Sequence, residues 1–163
     1  MRDITRRGLT QTQGMFDMKR AFFAAILTLL ATPMWAENLG DVSAGETLFA
    51  RKCVACHTIM APDGTKIAGR GAQAGPNLYG VAGRVMGAQE GFRYSRSMQA
   101  AHDAGLIWDE TSLSAFIQDP TAYLRSALDN PRARSKMSLR IRKEQEALDI
   151  YAYLHSVAPP PVE

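Results

Sequence analysis

The chain has 163 residues, about one domain by size, with 46% hydrophobic and 21% charged residues. That balance excludes an intrinsically disordered chain and a membrane-embedded bundle. The formal charge of +3 comes from the N-terminus: residues 1–36 hold five of the 19 basic and two of the 16 acidic residues, leaving 14 of each beyond them. A neutral domain argues against nucleic acid as a partner, so only the distribution of its charges carries information. The only two cysteines, Cys53 and Cys56, are too close in sequence to staple a fold.

Taken from the start, Lys19 and Arg20 precede an apolar run from Ala21 to Ala31, and Thr32-Pro33-Met34-Trp35-Ala36 follows. A positive start, an apolar stretch and a small residue at the cut form the pattern of a secretory signal. It predicts that residues 1–36 are removed and that residues 37–163 form the exported domain. Met18 is an alternative start, which would leave residues 1–17 outside the protein. The competing reading is an uncleaved anchor, but the run has about half to two-thirds of the roughly 20 residues that span a bilayer, and Pro33 interrupts its far end.

Ser43-x-x-Glu46 predicts a capping box opening a short helix that carries Leu48 and Phe49 and runs into Cys53. Residues 58–106 are rich in glycine, hold few periodic apolar positions and read mainly as loop. Asp109-Glu110-Thr111-Ser112 starts a second helix through Leu113, Phe116 and Ile117, stopped before Pro120. Residues 121–136 read as irregular and basic, with Tyr123-Leu124 and Leu128 marking a candidate short helix. From about Lys143 to Val157, Ala147, Ile150, Tyr151 and Leu154 recur at helical spacing, and Pro159-Pro160-Pro161 ends that helix. No alternating strand pairs appear. The predicted fold class is therefore all-α, a small single domain of short helices and long loops. Such elements bury little apolar surface by themselves, and a buried prosthetic group would complete the core.

Cys53-Val54-Ala55-Cys56-His57 is the attachment signature of a c-type haem. Two thiols three residues apart reach the two vinyl groups of one haem as thioethers, and the adjacent His57 points its imidazole at the iron. A thioredoxin-like redox pair would need a βαβ setting, and no strands are visible. A zinc site would need two more ligands, and the remaining histidines are only His102 and His155. The motif therefore predicts one covalent haem c per chain. A second axial ligand would separate electron transfer from open-site chemistry. Met60 is too near His57 to reach the other haem face. Met86, Met98 and Met137 remain, each with packing as its ordinary role, and distance along the chain favours Met137.

The chain resembles a class I c-type cytochrome, of the bacterial cytochrome c2 group, over nearly all of residues 40–158. The resemblance is carried by the attachment motif, by Gly75-Pro-Asn-Leu-Tyr-Gly-Val-Ala-Gly-Arg84, by Gly105-Leu-Ile-Trp-Asp-Glu110, by Ser135-Lys136-Met137 and by Asp149-Ile-Tyr-Ala-Tyr-Leu154. It implies that His57 and Met137 are the axial ligands and that the Pro76 carbonyl accepts a hydrogen bond from the His57 ring. It implies that Arg84, Tyr94 and Trp108 bind the inner haem propionate, and that Ser135 belongs to the cofactor-binding ligand loop. Gly45 and Phe49 would pack against Ile150 and Tyr153 where the terminal helices cross. Without the resemblance, Tyr94 and Trp108 read as core aromatics and Arg84 as a surface charge. The loops from His57 to Pro76 and from Pro120 to Met137 are longer than in the mitochondrial form, and Phe116 stands where the family often has a tyrosine.

The function so implied is a soluble periplasmic one-electron carrier, not an enzyme, and a monomer. Its donor would be a cytochrome bc complex and its acceptor a photosynthetic reaction centre or a cytochrome oxidase, each a membrane complex met by transient docking. A haem enzyme would need an open iron position and an acid–base group, and His102 reads as a solvated surface residue instead. Arg125, Arg132, Arg134, Lys136, Arg140, Arg142 and Lys143 fall within one stretch around Met137, relieved in sequence only by Asp129, with Arg51 and Lys52 as additions. They form the expected docking face for an acidic partner.

Overall fold

Asp41, not Ser43, starts the first helix. In the computed structural model, which describes residues 40–158, the Asp41 carboxylate accepts from the backbone N–H groups of Ser43 and Ala44 at 2.8 and 2.9 Å. The helix therefore begins before the expected Ser43–Glu46 box. It is α1, Val42–Lys52. An aspartate cap satisfies two of the helix's orphan donors at once, which leaves nothing for Ser43 to cap. The expected signal segment and the terminal prolines lie outside the described residues.

The segment read as loop contains regular structure. A two-stranded antiparallel hairpin joins β1 (Ile59–Met60) to β2 (Lys66–Ala68). Helix α2 spans Arg96–Asp103, capped by Ser95, whose hydroxyl accepts from the Met98 N–H at 3.1 Å. Helix α3, Glu110–Gln118, follows the expected boundaries, with a capping box made by Asp109 and Ser112. Pro120 stops α3 as expected and also opens α4, Pro120–Ala127, at whose first position a missing N–H costs nothing. Asp119 serves both as the C-cap of α3 and as the N-cap of α4. Helix α5, Glu144–Val157, is the longest among the described residues. The all-α class holds, with the small hairpin as its one strand pair among the described residues.

The core is built on α5, which lies against both α1 and α3. At the α1–α5 crossing a Cβ on Gly45 would overlap the Asp149 carbonyl oxygen and lie 2.8 Å from the Tyr153 Cβ. The Phe49 and Tyr153 rings meet there at 5.6 Å. The glycine is what lets the two backbones approach. The buried Asp149 carboxylate accepts from the Asp41 N–H and from Gln145 Nε2, both at 2.8 Å. One carboxylate thus ties the start of α1 to α5. Lys52 at the other end of α1 pairs with Glu146 at 2.9 Å.

Candidate cofactor site

Between these helices lies a cavity of about 480 Å³ with mainly apolar walls, within the range of about 300–1,000 Å³ usual for cofactor sites. Phe49, Leu113, Phe116, Ile117, Ile150 and Leu154 line it from α1, α3 and α5. The end of α1 brings Cys53, Cys56 and His57 to its wall. Cys53 closes the helix as its C-cap, and the N–H of His57 donates to the Cys53 carbonyl at 2.9 Å. This tight turn places both thiols and the imidazole at one site. Burial pushes the Cys53 thiol up to about 11, so as a free group it stays protonated at neutral pH.

The imidazole is fixed from two sides. His57 Nδ1 lies 2.9 Å from the Pro76 carbonyl oxygen. A carbonyl can only accept, so Nδ1 carries the proton and the Nε2 lone pair is left for a metal. Burial pushes the His57 pKa down, against the opposing effect of that carbonyl, which keeps the ring neutral as a metal ligand requires. Gly75 supplies the other constraint: a Cβ there would overlap the ring atoms of His57. Asn77 then holds the turn, its Oδ1 accepting from the N–H groups of Met60 at 3.0 Å and Tyr79 at 3.1 Å, and its Nδ2 donating to the Met60 carbonyl at 2.8 Å.

Arg84, Tyr94 and Trp108 all border the cavity. Arg84 Nη1 donates to the Tyr79 carbonyl at 3.1 Å and to Gln89 Oε1 at 2.9 Å, and Nη2 donates to the Asn77 carbonyl at 3.1 Å. Arg84 is half-buried, not the surface charge that its residue type alone implies. Burial pushes the Tyr94 phenol up, opposed by the Gln89 backbone amide and by the Arg84 charge. Trp108 is 6% exposed and packs on Phe116 with ring centroids 4.8 Å apart. Gln89 and Asn77 escaped sequence reasoning as functional residues. Asn77 lies inside the Gly75–Arg84 motif, which is the signal that marks it, whereas nothing in the sequence marks Gln89.

Of the three competing methionines, Met86 is fully buried in the core away from the cavity lining. Met98 and Met137 both line it. Met137 lies on the loop between α4 and α5, where its N–H donates to Ser135 Oγ at 3.0 Å. Ser135 in turn donates its N–H toward Thr121 Oγ1 at 3.3 Å, and the Arg134 N–H donates to Ser97 Oγ at 2.9 Å.

The expected docking cluster is less uniform in space than in sequence. Ser135, Lys136 and Met137 border the cavity, whereas Arg125, Arg132, Arg134, Arg140, Arg142 and Lys143 do not. Lys136 Nζ donates to the Arg93 carbonyl at 2.6 Å, and Arg125 Nε donates to the Ala133 carbonyl at 3.3 Å. Arg140 pairs with Asp119 and Lys143 with Glu146, each at 3.3 Å. Asp129 is therefore not the sole acidic relief. Arg132, Arg134 and Arg142 are exposed.

A cysteine pair on an apolar wall, an imidazole with its Nε2 left for metal, and a cationic polar edge together suit haem c. The comparisons with known proteins agree. The Cytochrome c family model matches residues 42–158. Cytochrome c2 of Rhodovulum adriaticum is 51% identical over 118 residues, covering 72% of this chain and 93% of that protein. Cytochrome c-551 of Roseobacter denitrificans is 45% identical over 132 residues, covering 81% and 90%. The crystal structure of cytochrome c2 from Rhodobacter sphaeroides superposes with a TM-score of 0.72 at 44% identity, covering 75% of this chain and 99% of that one. The chain belongs to the cytochrome c family, in its cytochrome c2 group, and is an electron-transfer protein that holds haem c covalently through Cys53 and Cys56.

Proposed function

We propose that this protein is a periplasmic carrier whose iron is held by His57 and Met137, moving single electrons from a cytochrome bc complex to a reaction centre or terminal oxidase. One observation supports this most directly: His57 and Met137, 80 residues apart in sequence, line the same cavity. When bound, the haem supplies an iron centre that gains and loses one electron. The chain's residues do the rest. Pro76 orients the imidazole, Ser135 orders the backbone at Met137, the apolar walls keep water away, and Arg84, Tyr94 and Trp108 offer donors to the haem's acid group. Removal of residues 1–36 on export belongs to the same reading. Among the described residues no helix is long and apolar enough to cross a membrane.

Met98 lines the cavity too, so the test must separate the two thioethers. Met137→Ala should abolish the weak iron–sulfur charge-transfer band of the oxidised protein, lower the potential and open the iron to small ligands. Met98→Ala should keep the band. An unchanged band in the Met137 variant would remove the assignment.

A further inference from the structure

We infer that Gln89 is a positioning residue for the iron's redox potential: it holds Arg84 against the cavity with a neutral acceptor, so the guanidinium charge stays available to the haem's acid group. This rests on the reading of Arg84 given above.

Three acceptors surround Arg84: the Tyr79 carbonyl, the Asn77 carbonyl and Gln89 Oε1. All three are neutral. They use three of the five guanidinium N–H donors, and none cancels the charge. The two remaining donors belong to a side chain that borders the cavity. The two carbonyls are fixed by the turn that carries them. Gln89 Oε1 is the only one of the three acceptors contributed by a side chain, and its bond to Arg84 is the shortest, at 2.9 Å.

Gln89 also lies near enough to the neighbouring phenol to influence it. Its backbone amide acts on the Tyr94 phenol, opposing the effect of burial. The geometric contact that carries the inference is the one from the Gln89 side chain to Arg84. Its Nε2 points the other way, donating to the Glu90 carbonyl at 3.4 Å, a long contact that leaves Oε1 turned toward Arg84.

The anchor matters because the guanidinium pays for its place. Burial works against the charged form of Arg84. With an anchor gone, the side chain gains hydration by swinging toward water. Every withdrawal weakens the stabilisation of an ionised acid group beside the iron. A cation near the iron favours the reduced state over the oxidised one, so loss of its pose lowers the potential.

The experiment is a double-mutant cycle read by potentiometry on the haem-loaded protein, using Gln89→Ala, Arg84→Met and the pair together. Gln89→Ala changes no charge and removes a partly buried side chain, and its fold is checked by covalent haem incorporation and helical circular dichroism. The same two measurements check the Arg84 variant, with Arg84→Lys as a second, charge-keeping probe of the same site. Arg84→Met should lower the potential. Gln89→Ala should lower it part of the way, by up to a tenfold change in the oxidised-to-reduced ratio, about 59 mV for one electron. In the Arg84→Met background Gln89→Ala should do nothing further, since the two residues act as one unit. If Gln89→Ala shifts the potential equally in both backgrounds, or not at all while Arg84→Met does, the inference is overturned and the reading of Arg84 survives. If neither Arg84 variant moves the potential, that reading falls and takes the inference with it.

Discussion

A methyl group at position 75 would occupy the space of the His57 imidazole. Gly75→Ala should therefore push the ring from the Pro76 carbonyl and, on the proposed ligation, loosen its hold on the iron. Overpacking of this kind costs about 1–3 kcal/mol, measurable by denaturant titration, and the oxidised spectrum should gain a high-spin fraction. At this scale the sequence was legible where chemistry imposes spacing. Cys53, Cys56 and His57 announce themselves because two thioethers and a ligand need that separation. Arg84 was not legible from its own character, since an arginine reveals its burial only through its acceptors, and two of those are backbone carbonyls. Gln89 had no mark, because a lone glutamine in a glycine-rich stretch looks like any solvated residue.

Helices show the same division. Helix α5 was readable because its apolar positions repeat over four turns, and α3 because Asp109 caps it and Pro120 ends it. Helix α2 escaped because it has eight residues, with only Met98 and Ala101 buried, too few to set a period. Helix α4 was only half legible: its N-cap, Asp119, also closes α3. The first capping box was misplaced because two acceptable caps, Asp41 and Ser43, lie two residues apart, and the tertiary bond from the Asp41 N–H to Asp149, which sequence does not show, adds to the two capping bonds of Asp41. That bond makes a prediction for the α1–α5 crossing. Asp149→Ala strips the Asp41 N–H and Gln145 of their shared acceptor and should cost about 1–3 kcal/mol. Gly45→Ala, which must force the helices apart, should cost more than about 3 kcal/mol. Guanidinium unfolding of both variants would check the order.

For the molecule as a whole, the cavity is part of the architecture. Left unfilled, about 480 Å³ with mainly apolar walls would expose to water side chains that the haem otherwise covers, and small domains have little apolar burial to spare. The haem is thus a structural member as well as a redox centre, as the shortage of apolar surface in the sequence implied. Charge acts at this scale too. With Arg140 and Lys143 offset by Asp119 and Glu146, the exposed Arg132, Arg134 and Arg142 are the better candidates for steering. Electron-transfer rates to an acidic redox partner should fall as ionic strength shortens the Debye length from about 30 Å to about 8 Å. Arg134→Glu should slow the reaction several-fold at low salt, as measured by stopped-flow. Rates indifferent to salt and to that reversal would move the docking site elsewhere.

The loop that carries Met137 is held mainly by side-chain acceptors, with backbone bonds from Ala133 to Asn130 and from Ile141 to Ile117. The N–H groups of Arg132, Arg134, Ser135 and Met137 donate to side-chain oxygens of Asn130, Ser97, Thr121 and Ser135, whereas α1 and α5 are secured by continuous backbone ladders. A ladder resists opening cooperatively, but side-chain bonds release one at a time. The loop is therefore a separate opening unit, with a lower free energy of exposure than the terminal helices. On the proposed ligation by Met137, the iron would stay secluded only for this loop's closed lifetime, so resistance to stray ligands and oxidants would be set locally and would depend little on global stability.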